Sequence, residues 1–371
     1  MSTFVPPIRA DLANEVPYGA PQLDVPVRLN VNENPFPLPS ELAQAMGAAV
    51  AAIAPELNRY PDREAVELRA ELAKYLKNES GVVVTGDQVW AANGSNEVMH
   101  QLFLAFGGPE RTALSFDPTY SMYPEYARDT FTRYLTYVRN DDFSVDVVEA
   151  VKAIAADKPS IVLLTSPNNP TGTAVPTTDI VAILEAGLAV NAVVVVDEAY
   201  AEFRRTGTPS ALELLAKYPN LMVSRTMSKA FGLAGARLGY AVASRALIDA
   251  LRIVRLPYHL SAVTQVVAIT ALQHASVLQA QVATLREERD ALATWLVEQG
   301  YRVAQSDANF ILFGTFADRD VVWQSLLDQG VLIRQTGPKG WLRVSVGTSE
   351  ENDRFRAALL QASGTEQEAQ R

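Results

Sequence analysis

Apolar positions along the chain follow two periods that alternate. Ala65, Leu68, Leu72 and Leu76 fall at helical spacing within Glu64–Asn78. Beyond them, short apolar runs predict strands at Gln88–Ala92, Thr112–Phe116, Tyr134–Val138, Ile161–Thr165 and Ala192–Asp197. The stretches between them predict helices at Gly94–Phe106, Tyr120–Asp129, Val145–Ala156 and Asp179–Ala189. A continuously apolar strand such as Val193–Val196 suits a parallel sheet covered on both faces. Strand and helix in alternation imply a doubly wound α/β domain over residues 46–260.

The remainder reads differently. Residues 261–371 predict helices at Val263–His274, Ser276–Gln299, Asp320–Asp328 and Glu350–Ala362, with strands at Phe310–Phe313, Val331–Arg334 and Trp341–Val346. That mixture suggests a smaller α+β domain, closed by a polar tail, Ser363–Arg371. Residues 1–45 are an N-terminal arm, contributing in part to the small domain, with prolines at 6, 7, 17, 21, 26, 35, 37 and 39 that forbid a long helix. Within it, Leu29–Pro35 alternates apolar and polar residues and suits a short docked strand.

Composition narrows the chemistry. Against 42 acidic residues stand 32 basic ones, a formal charge of −10 over 371 residues, which disfavours a nucleic-acid partner. There are no cysteines, so thiolate metal sites and thiol nucleophiles are excluded. His100, His259 and His274 stand at no metal-ligand spacing, and no metal is expected. The longest apolar run, Met46–Ala54, stops at Pro55, far short of the ~20 residues of a membrane helix. Met1–Asn14 lacks the pattern of a secretory leader, so the expectation is a soluble, cytoplasmic protein.

Ligands of open α/β sheets bind beyond the carboxyl ends of the strands. Four such ends carry polar residues. At Asn93-Gly94-Ser95-Asn96 a strand turns into a helix, which fits either an ordinary cap or an anion site built from free amides. Ser166-Pro167-Asn168-Asn169-Pro170-Thr171-Gly172 is a rigid turn with more amide side chains than a turn needs. Asp197-Glu198-Ala199-Tyr200 puts a carboxylate directly behind four valines, where it serves as a helix cap or pairs with a ligand cation. Ser224-Arg225-Thr226-Met227-Ser228-Lys229-Ala230-Phe231-Gly232, trailed by Arg237, sets a lysine among hydroxyls. A pocket of that kind lowers an amine's pKa, and the hydroxyls with a guanidinium suit a phosphate.

In this order and at these spacings, Asn-Pro-Thr-Gly, Asp-Glu-Ala-Tyr and Ser-Lys-Ala-Phe-Gly resemble the fold-type I pyridoxal-phosphate aminotransferases of the aspartate aminotransferase superfamily. The resemblance runs from Asn30 to Glu351. It implies that Lys229 forms the Schiff base with pyridoxal 5'-phosphate and shuttles the proton, and that Asp197 pairs with the pyridinium nitrogen. It places Asn169 and Tyr200 on the phenolate oxygen, and Gly94, Ser95, Asn96, Thr226, Ser228 and Arg237 around the phosphate. Tyr120 becomes a wall against the ring, and Tyr60 reaches a partner subunit's phosphate site, which implies a homodimer with shared active sites.

Leu29-Asn30-Val31-Asn32-Glu33-Asn34-Pro35, Asn58-Arg59-Tyr60-Pro61, Arg255-Leu256-Pro257-Tyr258-His259 and Trp341–Gly347 are similar to the histidinol-phosphate aminotransferase branch. That resemblance implies transamination between L-histidinol phosphate and 2-oxoglutarate, giving imidazole acetol phosphate and L-glutamate in histidine biosynthesis. Arg334 and Arg343 would bind the anionic end of each substrate, with Tyr18, Tyr258 and Asn32 about the imidazole. An aromatic amino acid aminotransferase is the alternative, because tyrosines accept phenylalanine as readily as imidazole. A decarboxylase of a phosphorylated amino acid using the same cofactor is another, separable by its indifference to an oxo acid.

Overall fold

The computed structural model describes the backbone of residues 4–369 and the side chains of residues 4–362. Strands are numbered along the chain. β1 (Val27–Arg28) lies in the arm. A seven-stranded sheet follows, made of β2 (Val89–Ala92), β3 (Thr112–Asp117), β4 (Arg133–Val138), β5 (Ile161–Thr165), β6 (Val193–Asp197), β7 (Leu221–Thr226) and β8 (Gly239–Ala243). Their spatial order is β2-β8-β7-β6-β5-β3-β4, and every pairing is parallel except the two made by β8. β9 (Arg302–Val303), β10 (Phe310–Gly314), β11 (Val331–Leu332) and β12 (Trp341–Ser345) belong to the smaller layer. There β9, β10 and β12 form an antiparallel sheet, and β11 pairs in parallel with β1 of the arm.

Alternation along the central strands separates two cores. Val193 and Val195 of β6 pack with Ile161, Leu163 and Met222 under the helices Ser95–Phe106, Tyr123–Asp129 and Arg245–Val254. Val194 and Val196 face the other way, into the core shared with Leu221, Val223 and the helices Val66–Ser80, Val147–Asp157 and Thr177–Ala189. Because both faces are covered, β5 and β6 carry no polar side chain until their carboxyl ends, which is where the pattern breaks into Thr165 and Asp197.

The predicted elements recur with small shifts, and several were not visible in the pattern: helices Ser40–Ile53 and Arg245–Val254, and strands β7, β8 and β9. The arm's strand is Val27–Arg28 rather than Leu29–Pro35. Leu29 still donates its amide to Leu332 at 2.8 Å, but Asn32 then takes a left-handed φ of 57°, and the extended run ends there. The helix expected to end at Ala362 continues to Ala369 through much of the polar tail, while Gln370 and Arg371, with Met1–Thr3, lie outside the described residues. The helix Ala275–Glu298 buries Leu278, Val282 and Leu285 in the larger core, but Leu292 and Leu296 in the small-domain core. We propose that the domains divide within this helix rather than at residue 261.

Candidate active site

A cleft of about 370 Å³ opens where the carboxyl ends of β5, β6 and β7 meet the arm and β12. Asp197 ends β6 behind four valines and is buried, with its Oδ2 accepting from the Tyr123 hydroxyl at 2.9 Å. Its Oδ1 has no hydrogen-bond partner among the described residues. Burial raises the Asp197 carboxyl to about 6, against the Tyr123 and Ala199 hydrogen bonds that work to lower it. A buried carboxylate oxygen without a donor is costly unless a cation meets it.

Lys229 lies across the same cleft and donates from Nζ to the Val31 carbonyl at 2.9 Å. Burial, then the Arg343 and Arg237 guanidiniums, lower its amine to about 8. That value leaves an appreciable neutral fraction near neutral pH, which a nucleophile or proton carrier needs.

At one end the helix Ser95–Phe106 begins at Gly94, whose φ of 80° suits glycine and which brings no capping side chain. The approach is close: a Cβ at Gly94 would sit 2.6 Å from Arg237 Nη2, and one at Gly239 would sit 2.1 Å from the Ser95 amide nitrogen. Ser95, Asn96, Thr226, Ser228 and Arg237 gather around this helix start and line the cleft. Amides, hydroxyls and a guanidinium at a helix N-terminus make an anion cradle.

At the other end Arg343 donates to the Asn169 amide oxygen and, at 2.8 Å, to the Asn30 carbonyl. Burial lowers its guanidinium to about 10. Arg334 stands directly opposite in an antiparallel bridge, each residue's amide donating 2.9 Å to the other's carbonyl. Two like charges directly across a bridge repel each other, and an anion between them relieves this.

Of the residues predicted from sequence, Tyr18, Asn32, Ser95, Asn96, Tyr120, Asn169, Asp197, Tyr200, Thr226, Ser228, Lys229, Arg237, Arg334 and Arg343 line this one cleft, with Gly94 set against Arg237. Tyr18 bonds Ser121 at 2.8 Å, and Tyr120 donates to Asn96 at 3.2 Å. Tyr60 and Tyr258 are elsewhere. They stack on each other at 4.4 Å on the surface, outside the cleft of their own chain. Asn32, expected at a substrate's imidazole, lines the cleft with its amide hydrogen-bonded to Tyr200 and Ser345. Tyr123, Thr165 and Ser345 were not anticipated. The density of tyrosines in Tyr120–Tyr126 was a signal for the first, and the two-residue step from Arg343 for the last. His259 stacks on Trp90 and bonds the Ala91 carbonyl, and His274 bonds the Thr270 carbonyl, so both serve structure.

The aminotransferase class I and II family model matches residues 25–359. The chain belongs to that family. It is 60% identical to the histidinol-phosphate aminotransferase of Thermobifida fusca, with 96% of each chain covered. It is 57% identical to that of Bifidobacterium adolescentis, over 96% of this chain and 95% of the other. Among solved structures, the histidinol-phosphate aminotransferase of Sinorhizobium meliloti in complex with pyridoxal-5'-phosphate superposes with a TM-score of 0.81 at 24% identity, covering 91% of both chains. A putative one from Erwinia carotovora gives 0.82 at 26% identity, over 94% of this chain and all of the other. The architecture of this aminotransferase is thus the fold-type I arrangement expected from the motifs, with a mostly parallel central sheet.

Behind the cleft the same strands carry a second polar cluster. Glu198, one residue after Asp197, points to the opposite face of the sheet and accepts from Arg225 at 2.8 Å and from the Ser210 hydroxyl. Arg225 also meets Glu79 at 2.8 Å. Burial works to raise the Glu198 carboxyl, and the Arg225 and Arg204 guanidiniums overcome it, holding it below the usual range.

Proposed function

We propose that this aminotransferase acts on L-histidinol phosphate with 2-oxoglutarate as amino acceptor, using pyridoxal 5'-phosphate. The observation that carries the substrate assignment is the Arg334–Arg343 pair, an anion site at the far end of the cleft from the phosphate cradle. It suits the phosphate of one substrate and the carboxylate of the other. The names of the relatives at 53–60% identity support the same reading.

The residues present fit the cofactor. The unpartnered Asp197 Oδ1 offers a place for a protonated ring nitrogen, and the Ser95–Arg237 cradle a place for its phosphate. Tyr200 and Asn169 would flank its phenolate oxygen, with Tyr120 against the ring. When bound, pyridoxal phosphate supplies an electron sink for the carbanion formed at the substrate's α-carbon. Lys229 holds and returns the proton at that carbon, its amine kept near 8 so that both forms are accessible. Arg343 orients the substrate, and its bond to Asn169 ties substrate anchor to cofactor ligand. Asp197 stays ionised opposite the ring nitrogen once a cation stands there.

A homodimer belongs to this proposal. The exposed Tyr60–Tyr258 stack, with Leu57, Ile253 and Leu256 also exposed, is an apolar surface suited to a second copy. Cytoplasmic residence also belongs to it; no single helix among the described residues is long and apolar enough to cross a membrane.

The test is single-turnover spectroscopy of the purified enzyme freed of oxo acid. Histidinol phosphate bleaches the visible cofactor band quickly and phenylalanine slowly if the reading holds. Equal or faster reaction of phenylalanine assigns the protein to aromatic amino acids, and steady turnover without an oxo acid to decarboxylation. Lys229→Ala abolishes the visible band; an unchanged band refutes the role of Lys229.

A further inference from the structure

Tyr200 is buried at the cleft wall, and its hydroxyl accepts a hydrogen bond from Asn32 Nδ2 at 3.0 Å. The rest of Asn32 is equally committed. Its backbone amide donates to Ser345 Oγ at 2.8 Å, and its side-chain Oδ1 accepts from the same Ser345 hydroxyl at 3.0 Å. All three residues are buried.

The direction of this chain follows from its first link. A backbone N–H can only donate, so Ser345 Oγ is an acceptor there, and its single proton goes to Asn32 Oδ1. That fixes the amide with its NH₂ toward Tyr200. The opposite orientation would strand the Ser345 proton and turn a carbonyl oxygen toward the tyrosine. With Asn32 donating into its oxygen, the Tyr200 proton has one direction left, which is into the cleft.

We infer that Asn32 and Ser345 are positioning residues that commit the Tyr200 hydroxyl to act as a hydrogen-bond donor toward the cofactor's phenolate oxygen. The inference rests on the reading above that this oxygen lies at Tyr200. Donation in series also polarises each following bond, so the Tyr200 proton is a stronger donor than an isolated phenol's. Asn32 adopts its left-handed backbone to make both contacts, a conformation Asn tolerates better than most residues. Ser345 shares one face of β12 with Arg343, while Leu342 and Val344 fill the small-domain core on the other. The other charged and titratable groups facing Tyr200 include Arg343 of β12, Asp197 of β6, Tyr18 of the arm and Tyr120, all retained in the variants below.

The readout is the pH titration of the visible cofactor band in the resting holoenzyme. A donor on the phenolate withdraws charge that otherwise makes the neighbouring linkage nitrogen more basic, so weakening the donor raises the titration midpoint. Tyr200→Phe raises it most. Asn32→Gly, which keeps the left-handed backbone, raises it by about half a unit to one unit, the range of one hydrogen bond. Adding Asn32→Gly to Tyr200→Phe moves it no further, since the relay acts only through the tyrosine. Should Asn32→Gly not fold, Ser345→Ala releases the amide and shifts the midpoint in the same direction. A midpoint moved by Tyr200→Phe but by neither of the others overturns the relay and leaves the cofactor placement standing. A midpoint that Tyr200→Phe itself does not move overturns both.

Discussion

Asp197 should make the cofactor-free protein less stable than its asparagine variant. Moving a carboxyl from its ordinary 3.8 to about 6 by burial corresponds to about 3 kcal/mol of destabilisation once the group is ionised in both states. The sign follows from proton counting. The folded state holds its proton to higher pH than the unfolded state, so the folded state binds more protons between about 4 and 6, and stability falls as pH rises through that window. The penalty is complete above pH 6 and shrinks to about 1 kcal/mol at pH 4.5. Asp197→Asn keeps an oxygen for the Tyr123 hydroxyl and removes the charge. Stripped of cofactor, the variant should therefore melt about 4–6 °C above wild type at pH 7.5, with the gap narrowing at pH 4.5. Pyridoxal phosphate should reverse the order, because the wild-type carboxylate then gains its cation, and the variant should bind the cofactor roughly tenfold or more weakly. Calorimetry at the two pH values, with and without cofactor, measures all four states. A cofactor-free variant no more stable than wild type at pH 7.5, or a gap that does not narrow in acid, refutes the reasoning.

Arg343→Lys keeps a charge but not the fork that meets Asn169 and Asn30, and kcat/KM should fall roughly 10²–10³-fold with both histidinol phosphate and glutamate. Steady-state kinetics on the two donors measures it, and a loss confined to one of them counts against a shared anion site. Gly239→Ala meets backbone at Ser95 and should yield little folded protein, whereas Gly94→Ala meets the movable end of Arg237 and should fold but retain cofactor poorly on dialysis. Arg225→Leu removes the fully buried cation shared by Glu79, Glu198 and Glu202, leaving Arg204 as the remaining partner of the first two, and should cost about 3–5 kcal/mol in denaturant unfolding.

Much of the cleft was legible because its residues violate the local pattern. Asp197 follows four valines, Lys229 sits between hydroxyls and a glycine-rich loop, and Asn169 stands in a turn that needs no amide. Each is an expense that folding alone does not explain. Partners remote in sequence left no such mark. Asn32 lies 168 residues from Tyr200 and 313 from Ser345, and although the motifs mark Asn32 and Tyr200 separately, nothing in their segments shows that they meet each other or Ser345. Tyr123 looked like one tyrosine among several until Asp197 came within 2.9 Å of it. The fold divides the same way. Parallel strands buried on both faces announce themselves as apolar runs, but β7 is interrupted by Ser224 and Arg225, and the Arg225 charge is met only by carboxylates from other segments, Glu198 and Glu79 among them. The antiparallel β8 follows a glycine-rich loop and carries no cue to its direction.

Consecutive carboxylates on β6 and just beyond it serve opposite sides of one sheet, Asp197 toward the cleft and Glu198 toward Arg225. With a period of two, losing one residue from Val193–Val196 would exchange the two sides at a stroke. The glutamate would be carried toward the cofactor's place, and Arg225 would lose one of the carboxylates that surround it. One valine can be traded for another branched apolar residue with little loss. The number of residues in that stretch admits no such latitude, so insertions and deletions there are closed to this enzyme's evolution while substitutions stay open.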